Sequence, residues 1–458
     1  MQNQLFTYLK SHRIALLFCL VSILLYLSFA YELQREDFPK LLGLYASLFF
    51  LYYKLVQPQL LNFKFLLTIG VIFRLIFLFA EPNLSQDFYR FIWDGQLIKN
   101  GINPYLYTPN QVLEWSEIPI ANYNVLFEGM GELSAKHFSN YPPLNQITFT
   151  IASFLGGKSI LASIIALRVQ IILADVGIVY FGRKLLRHLN MEPSLIFWYF
   201  LNPLVIIELT GNLHFEGTML FFFVWAMFLL VKKKWIASAP IYAFSILVKL
   251  VPILFLPLFL RYLGFKKSVG FYALVLTTCI AFLAPFYTPI FVDNYSETVG
   301  LWFSNFEFNA GIYNMVKSIG VDFFEAKPWE LIKTYGKIMA LSVIVIALIL
   351  TFFRKNENFK TLIQSMLWVL FAYLALSSTV HPWYIIFLLT LTIFTEYKFP
   401  ILWTLVIILS YWAYSNPDFT ENLGFLTIEY LAVFALFIYE LYTKSIKKLD
   451  FFKKTPSN

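Results

Sequence analysis

The chain has 458 residues, of which 59% are hydrophobic, 20% aromatic and only 14% charged. A soluble domain carries about 25% charged residues, so an ordinary water-soluble protein is excluded and an all-α, polytopic membrane protein is expected. The net charge of +8 does not point to nucleic acid, because the basic residues fall in short clusters between apolar runs, where they act as topology signals.

The first run, "RIALLFCLVSILLYLSFAY", is too long for the apolar part of a signal peptide and lacks a small-residue cleavage site after it, so it reads as a retained span. Further apolar runs follow near 40–56, 63–80, 158–181, 194–210, 216–232, 268–288, 336–353, 361–379, 399–415 and 424–443. The run 235–263 is too long for one span and carries Lys249 and Pro252 mid-way, which predicts a tight helical pair. With the short run 382–396, the total comes to about 14 crossings. Cys19 and Cys279 both lie inside apolar runs, so neither a disulfide nor a thiolate metal site is expected.

Starting with the N-terminus inside puts "GRKLLRH", "VKKKW", "RYLGFKK", "FRKNENFK" and the tail "KSIKKLDFFKK" on the cytoplasmic side. An even number of crossings also returns the C-terminus to the cytoplasm. Two long connections then face outward, 81–157 and 291–335. Both are aromatic-rich and punctuated by Pro and Gly, so both are expected to be structured. Within the first, 144–155 is too short to span and is expected to dip into the membrane interface. No internal repeat or soluble domain is visible, so residues 1–458 read as one membrane domain.

The first outer connection opens with "LSQDFYRFIWDGQLIKNGINPY". On a helix, Asp87, Arg90 and Asp94 fall within about 60° of arc, with Phe88, Tyr89, Ile92 and Trp93 opposite. This predicts an amphipathic helix lying on the membrane, its aromatic face down and its acid–base–acid stripe toward water or a cavity. An interfacial ion-pair stripe would need nothing further. Other ionisable groups, however, fall at the same outer level: His214 and Glu216 in "TGNLHFEG", Lys249 in "ILVKLVP", and His381 in "SSTVHPWY". Burial of such groups beside apolar sequence is costly without a partner or a function. Arg74, Arg168 and Asp175 lie deeper and read as structural.

A carboxylate at the water line, ringed by cations and aromatics, suits sugar transfer from a lipid-phosphate donor. Asp87 or Asp94 can accept the acceptor's hydroxyl proton. Arg90, Lys249 and His381 can stabilise the departing phosphate. Asp94, Tyr141, His214, Glu216, Trp383 and Tyr384 are the candidate substrate contacts, the aromatic ones by stacking on sugar faces.

"SQDFYRFIWDG", "NGINPY", "YPPLNQ", "GNLHFEG", "LVKLVP" and "HPWY", in that order between about residues 80 and 385, resemble the membrane-embedded glycosyltransferases of the GT-C superfamily. The resemblance is strongest to bacterial polyprenol-phosphate-mannose-dependent mannosyltransferases. It implies a GT-C-like fold, a catalytic acid at Asp87, a polyprenyl-phosphate sugar donor, a glycan or lipid acceptor, and an inverting displacement. It also implies a bacterial inner membrane with the site facing the periplasm. Several superfamily members carry two neighbouring acids at this place. Here Gln86 precedes Asp87, which argues against a metal bridge between neighbouring acids; an Asp87–Asp94 metal site is geometrically open but unsupported, and no metal or cofactor is assigned. A flippase for a lipid-linked sugar is the alternative, disfavoured by the lack of repeated halves and by polar groups clustered at one face instead of the midplane.

Overall fold

The computed structural model describes residues 12–57 and 62–453. The N-terminal residues 1–11 and the last residues of the basic tail, 454–458, both expected in the cytoplasm, lie outside the described residues. The α-helices of eight residues or more are, in chain order, α1 (Arg13–Tyr31), α2 (Phe38–Val56), α3 (Phe63–Ile76), α4 (Asp87–Lys99), α5 (Tyr123–Ala135), α6 (Pro143–Gly156), α7 (Ile160–His188), α8 (Glu216–Val231), α9 (Trp235–Val248), α10 (Phe265–Leu283), α11 (Pro289–Ser304), α12 (Gly311–Phe324), α13 (Pro328–Phe353), α14 (Phe359–Leu376), α15 (Ile385–Ile393), α16 (Phe399–Val406) and α17 (Leu423–Lys453). Among the described residues β pairing is confined to a single parallel bridge, Phe308 with Thr379.

Helix starts follow local chemistry. The Asn62 and Ser159 side chains accept from the amides of Phe65 and Ala162, capping α3 and α7. The outer helices wear their apolar side outward. In α1, Leu17, Leu20, Leu24 and Leu27 are exposed while Cys19, Ser22, Tyr26 and Phe29 are buried. In α17, Ile428 and Leu431 are exposed while Glu429 is buried. Leucine outside and carboxylate inside is the pattern of a helix whose surroundings are lipid.

Six helices are long and apolar enough to cross a membrane, or seven if the bent pair Pro193–Phe200 and Pro203–Gly211, inclined at 55°, counts as one span. The expected figure of about 14 crossings is not reached by these. The remaining apolar helices, such as Glu216–Val231 and Trp235–Val248, are 10–17 residues long, short of the ~20 a full crossing uses. The predicted helical pair is present: α9 ends at Val248, Lys249 is extended, and a 3₁₀ segment, Val251–Leu258, follows with Pro252 in its first turn. Two of the basic turns meet, with Arg261 4.0 Å from Glu357 and donating to the Arg354 carbonyl.

The first outer connection is largely helical, its helices joined by turns and irregular stretches, but α4 does not lie with a polar stripe facing water. Residues Arg90 to Leu97 are all buried. α5 and α6 cover the helix that the local pattern left open. Gly95 makes the closest approach possible, since a Cβ there would sit 2.3 Å from the Phe149 carbonyl oxygen of α6. α6 keeps a second face outward, with Ile147, Ile151, Phe154 and Leu155 exposed.

Candidate active site

Asp87 is the first residue of α4, where the helix dipole favours a carboxylate. Its side chain is 43% exposed. Gln86 precedes it and donates through Nε2 to the Met130 carbonyl, fixing the entry of α4 against α5. The place where an adjacent second acid was absent from the sequence thus holds a structural amide.

Arg90 and Asp94 lie one and two turns further on, and both are enclosed. Arg90 Nε donates to Asp94 Oδ1 at 2.7 Å, and its Nη1 donates to the carbonyls of Ser134 and His137. Asp94 Oδ2 accepts from Ser139 Oγ at 2.6 Å and Gln146 Nε2 at 3.0 Å. These contacts correct the water-facing reading of the stripe: the pair joins α4 to the end of α5, the following turn and α6.

Asp87 instead faces a buried imidazole. His214 Nε2 is 3.9 Å from Asp87 Oδ2, and His214 Nδ1 is 3.2 Å from Glu208 Oε2. Glu208 is fully buried in a π-helical segment, Ile206–Gly211, a distortion frequent at functional positions. Arg168 clamps that segment by donating to the Thr210 and Gly211 carbonyls, and it also reaches Leu78 and Ala80. Asn212 links two parts of the site, its Nδ2 donating to Glu208 and its Oδ1 accepting from the Leu84 amide just before α4.

The face of His214 stacks on Trp383 at 3.7 Å, Trp383 stacks on His381 at 4.5 Å, and His381 on Phe308 at 4.9 Å. Tyr384 meets His381 edge-on. Burial, with His214, Lys249 and Arg35 adding to it, pushes the His381 imidazole from 6.5 down to about 3. At neutral pH the ring is therefore uncharged and can offer a phosphate a hydrogen bond but no full charge. As pH falls below about 6.5, the unfolded chain takes up a proton that the folded chain refuses until about 3. Stability is lost through that window at about 1.4 kcal/mol per pH unit. His381→Asn is expected to flatten this acid-side loss, read as melting temperature between about pH 6.5 and 4. A slope equal to that of the wild type would mean that the ring is solvated.

The other candidates gather beside this column. Glu216, at the start of α8, pairs with Lys249 at 3.0 Å, and the Lys249 ammonium stands 5.9 Å from the Tyr141 ring centroid. Burial first, then the Asp87 carboxylate, raises the Tyr141 phenol, and Glu216 adds to this, so Tyr141 feels both acids. Glu216 pairs with Lys249 and His214 with the other carboxylates, so the two do not pair with each other. Arg74 and Asp175 form a separate buried pair at 2.8 Å, to which the Tyr199 hydroxyl also donates. Sequence reasoning missed Glu208, whose signal was an acid in the middle of an apolar run. It also missed Arg35, which lies 3.6 Å over the Tyr414 ring. Among the described residues, no group of three His, Cys, Asp or Glu is arranged to hold a metal ion.

Residues 41–263, which carry Asp87, Glu208, His214, Glu216 and Lys249, match the family model described as alpha-(1->6)-mannopyranosyltransferase, N-terminal domain. The alpha-(1->6)-mannopyranosyltransferase A of Mycobacterium tuberculosis (strain ATCC 25618 / H37Rv) is 22% identical over 327 residues, 67% of this chain and 60% of that protein. The chain is thus similar to alpha-(1->6)-mannopyranosyltransferases. The mannopyranosyltransferase A of Corynebacterium glutamicum (strain ATCC 13032) is 23% identical over 200 residues, 43% of this chain and 38% of that protein. The chain thus spans less than two thirds of the length of either mannopyranosyltransferase. Six helices long and apolar enough to cross a membrane make this an integral membrane protein.

Proposed function

We propose that the chain is a mannosyltransferase that moves its sugar from a polyprenyl-phosphate donor to an acceptor hydroxyl, with inversion, using Asp87 as the base. The observation that carries this reading is a half-exposed carboxylate at the start of a buried helix, with a buried imidazole behind it and the Glu216–Lys249 pair alongside. The acceptor oxygen attacks the anomeric carbon as its proton passes to Asp87. The bond from that carbon to the phosphate oxygen breaks, and its electron pair leaves on the phosphate. Lys249 supplies charge to that phosphate, His381 a neutral hydrogen bond, and Tyr141, Trp383 and Tyr384 flat surfaces for sugar rings. In this reading Arg90 and Asp94 hold the substrate pocket in shape, and Glu216 keeps Lys249 aimed until the donor arrives.

The shorter apolar helices, with α2 and α3, complete the membrane domain, and the basic turns face the cytoplasm. The site then opens on the periplasmic side of a bacterial inner membrane, between the outer connections 81–157 and 291–335. The acceptor is a glycan or lipid of the cell envelope.

The test is transfer by the purified full chain, with membrane extract as acceptor source and either radiolabelled polyprenyl-phosphate-mannose or GDP-mannose as donor. Label is expected in acceptor from the lipid donor alone. Transfer from GDP-mannose alone would overturn the donor assignment. Transfer from neither, with other lipid-linked sugars also tried, would remove the transferase reading and make lipid-linked sugar transport the next assay.

A further inference from the structure

We infer that His214 and Glu208 form a proton relay behind Asp87, in which the imidazole takes on the proton that Asp87 collects and Glu208 positions and compensates the charged ring. This rests on the function proposed above.

The contrast with Asp175 motivates the assignment. That fully buried carboxylate is neutralised by Arg74 at 2.8 Å, as a structural acid requires. Glu208 is equally buried, yet among the described residues it forms no ion pair with Lys or Arg. Its neighbours are the Tyr411 hydroxyl, donating at 2.6 Å, the Asn212 amide, donating at 3.3 Å, and the His214 ring. Among the described residues, a protonated His214 is the one cation within ion-pair distance of it.

His214 is built for that role. Both ring nitrogens are buried and neither makes an aligned hydrogen bond, although each lies beside a carboxylate oxygen. The ring cannot tilt freely because its face is stacked on Trp383, and an indole face also favours a cation. A base with a second group orienting it from behind is the arrangement that activates nucleophiles generally. Other charged or titratable groups around the pocket include His381 beyond Trp383, the Glu216–Lys249 pair, Arg35 on Tyr414, and the Tyr141 and Tyr384 phenols, both of which feel Asp87 and Glu216.

The step balances without a further reactant. The acceptor proton moves to Asp87 as the new carbon–oxygen bond forms and the phosphate departs. A turn of the half-exposed Asp87 side chain closes the 3.9 Å gap, and the proton crosses to His214 Nε2. The imidazolium rests between two carboxylates until product leaves, when the proton returns through Asp87 to water.

Two measurements test the relay, one of them independent of turnover. First, the full chain labelled with ¹⁵N-histidine is titrated, the His214 signals being assigned with His214→Gln. Loss of either carboxylate, by Asp87→Asn or Glu208→Gln, is expected to move the His214 titration to lower pH, because a ring without its anion takes up a proton less readily. Second, transfer is followed against pH. Glu208→Gln is expected to lower kcat by roughly 10²-fold, with little change in KM and with the acid limb displaced to lower pH; Glu208→Asp is expected to recover part of the rate. His214 signals that respond to neither variant would overturn the relay even if the wild type transfers no sugar, an outcome that would by itself count only against the function above. An unmoved acid limb, with rate loss only in proportion to loss of folded protein, would make Glu208 a structural acid and overturn the relay while leaving the transferase intact.

Discussion

Asp87→Asn is expected to lower the rate of sugar transfer by about 10²–10⁴-fold, the range that a positioned general base contributes. The substitution keeps the shape of the side chain and removes its ability to take a proton. Little else should change. The side chain is 43% exposed, and the favourable effect of a carboxylate on the first turn of a helix is about 0.3–1 kcal/mol. The variant should therefore melt near the wild-type temperature and elute at the wild-type position, so that its loss of rate reads directly as chemistry. The measurement is initial transfer rate from the lipid donor at saturating concentration. A folded Asp87→Asn protein that transfers at the wild-type rate would remove Asp87 as the base and turn attention to Glu216, the other acid at a helix start on this face.

Asp94→Ala should act in the opposite way, on stability before chemistry. The substitution would leave Arg90 buried with its Nε unpaired and would take the acceptor from both Ser139 and Gln146. Breaking one side of a buried ion pair costs about 3–5 kcal/mol, mostly because a charge is stranded. The elements released are α4, the end of α5 and the start of α6, so the expected result is a strongly lowered melting temperature and poor recovery of folded protein. Asp94→Asn should be milder because one acceptor oxygen survives. If Asp94→Ala kept its melting temperature and lost transfer, Asp94 would belong to the reaction and not to the frame.

These two acids, seven residues apart, show what was legible in the sequence. The helices were, because unbroken apolar runs of helical length leave little else to form, and so was the break at Lys249, where an extended residue and Pro252 interrupt them. The neighbourhood of Glu216, Lys249, His214 and Asp87 was legible too, because ionisable groups beside apolar sequence need partners and all fell at one level. The crossing number was not, since several apolar runs form helices shorter than a bilayer. The burial of Asp94 was hidden for a different reason. Its partners Ser139 and Gln146 lie 45 and 52 residues away, and helical periodicity reports which residues share a face but not what later folds over it. Glu208 escaped although an acid inside an apolar run was itself the signal, because its hydrogen-bond partner Tyr411 lies 203 residues away.

The double-faced α6 bears on the height at which the proposed base stands. One side of this helix meets α4 backbone to backbone at Gly95 and supplies Gln146 to Asp94. The other side offers Ile147, Ile151, Phe154 and Leu155 to the surroundings. In the proposed placement those residues would settle at the boundary of the hydrocarbon, and the close contact at Gly95 would carry that level to Asp87. α6 would then work as a float, and the carboxylate would be levelled by the membrane surface as well as by the bundle. The lipid-borne phosphate of the proposed donor would be levelled by the same surface through its own tail, so that the two would meet at a common altitude whatever the thickness of the membrane beneath them.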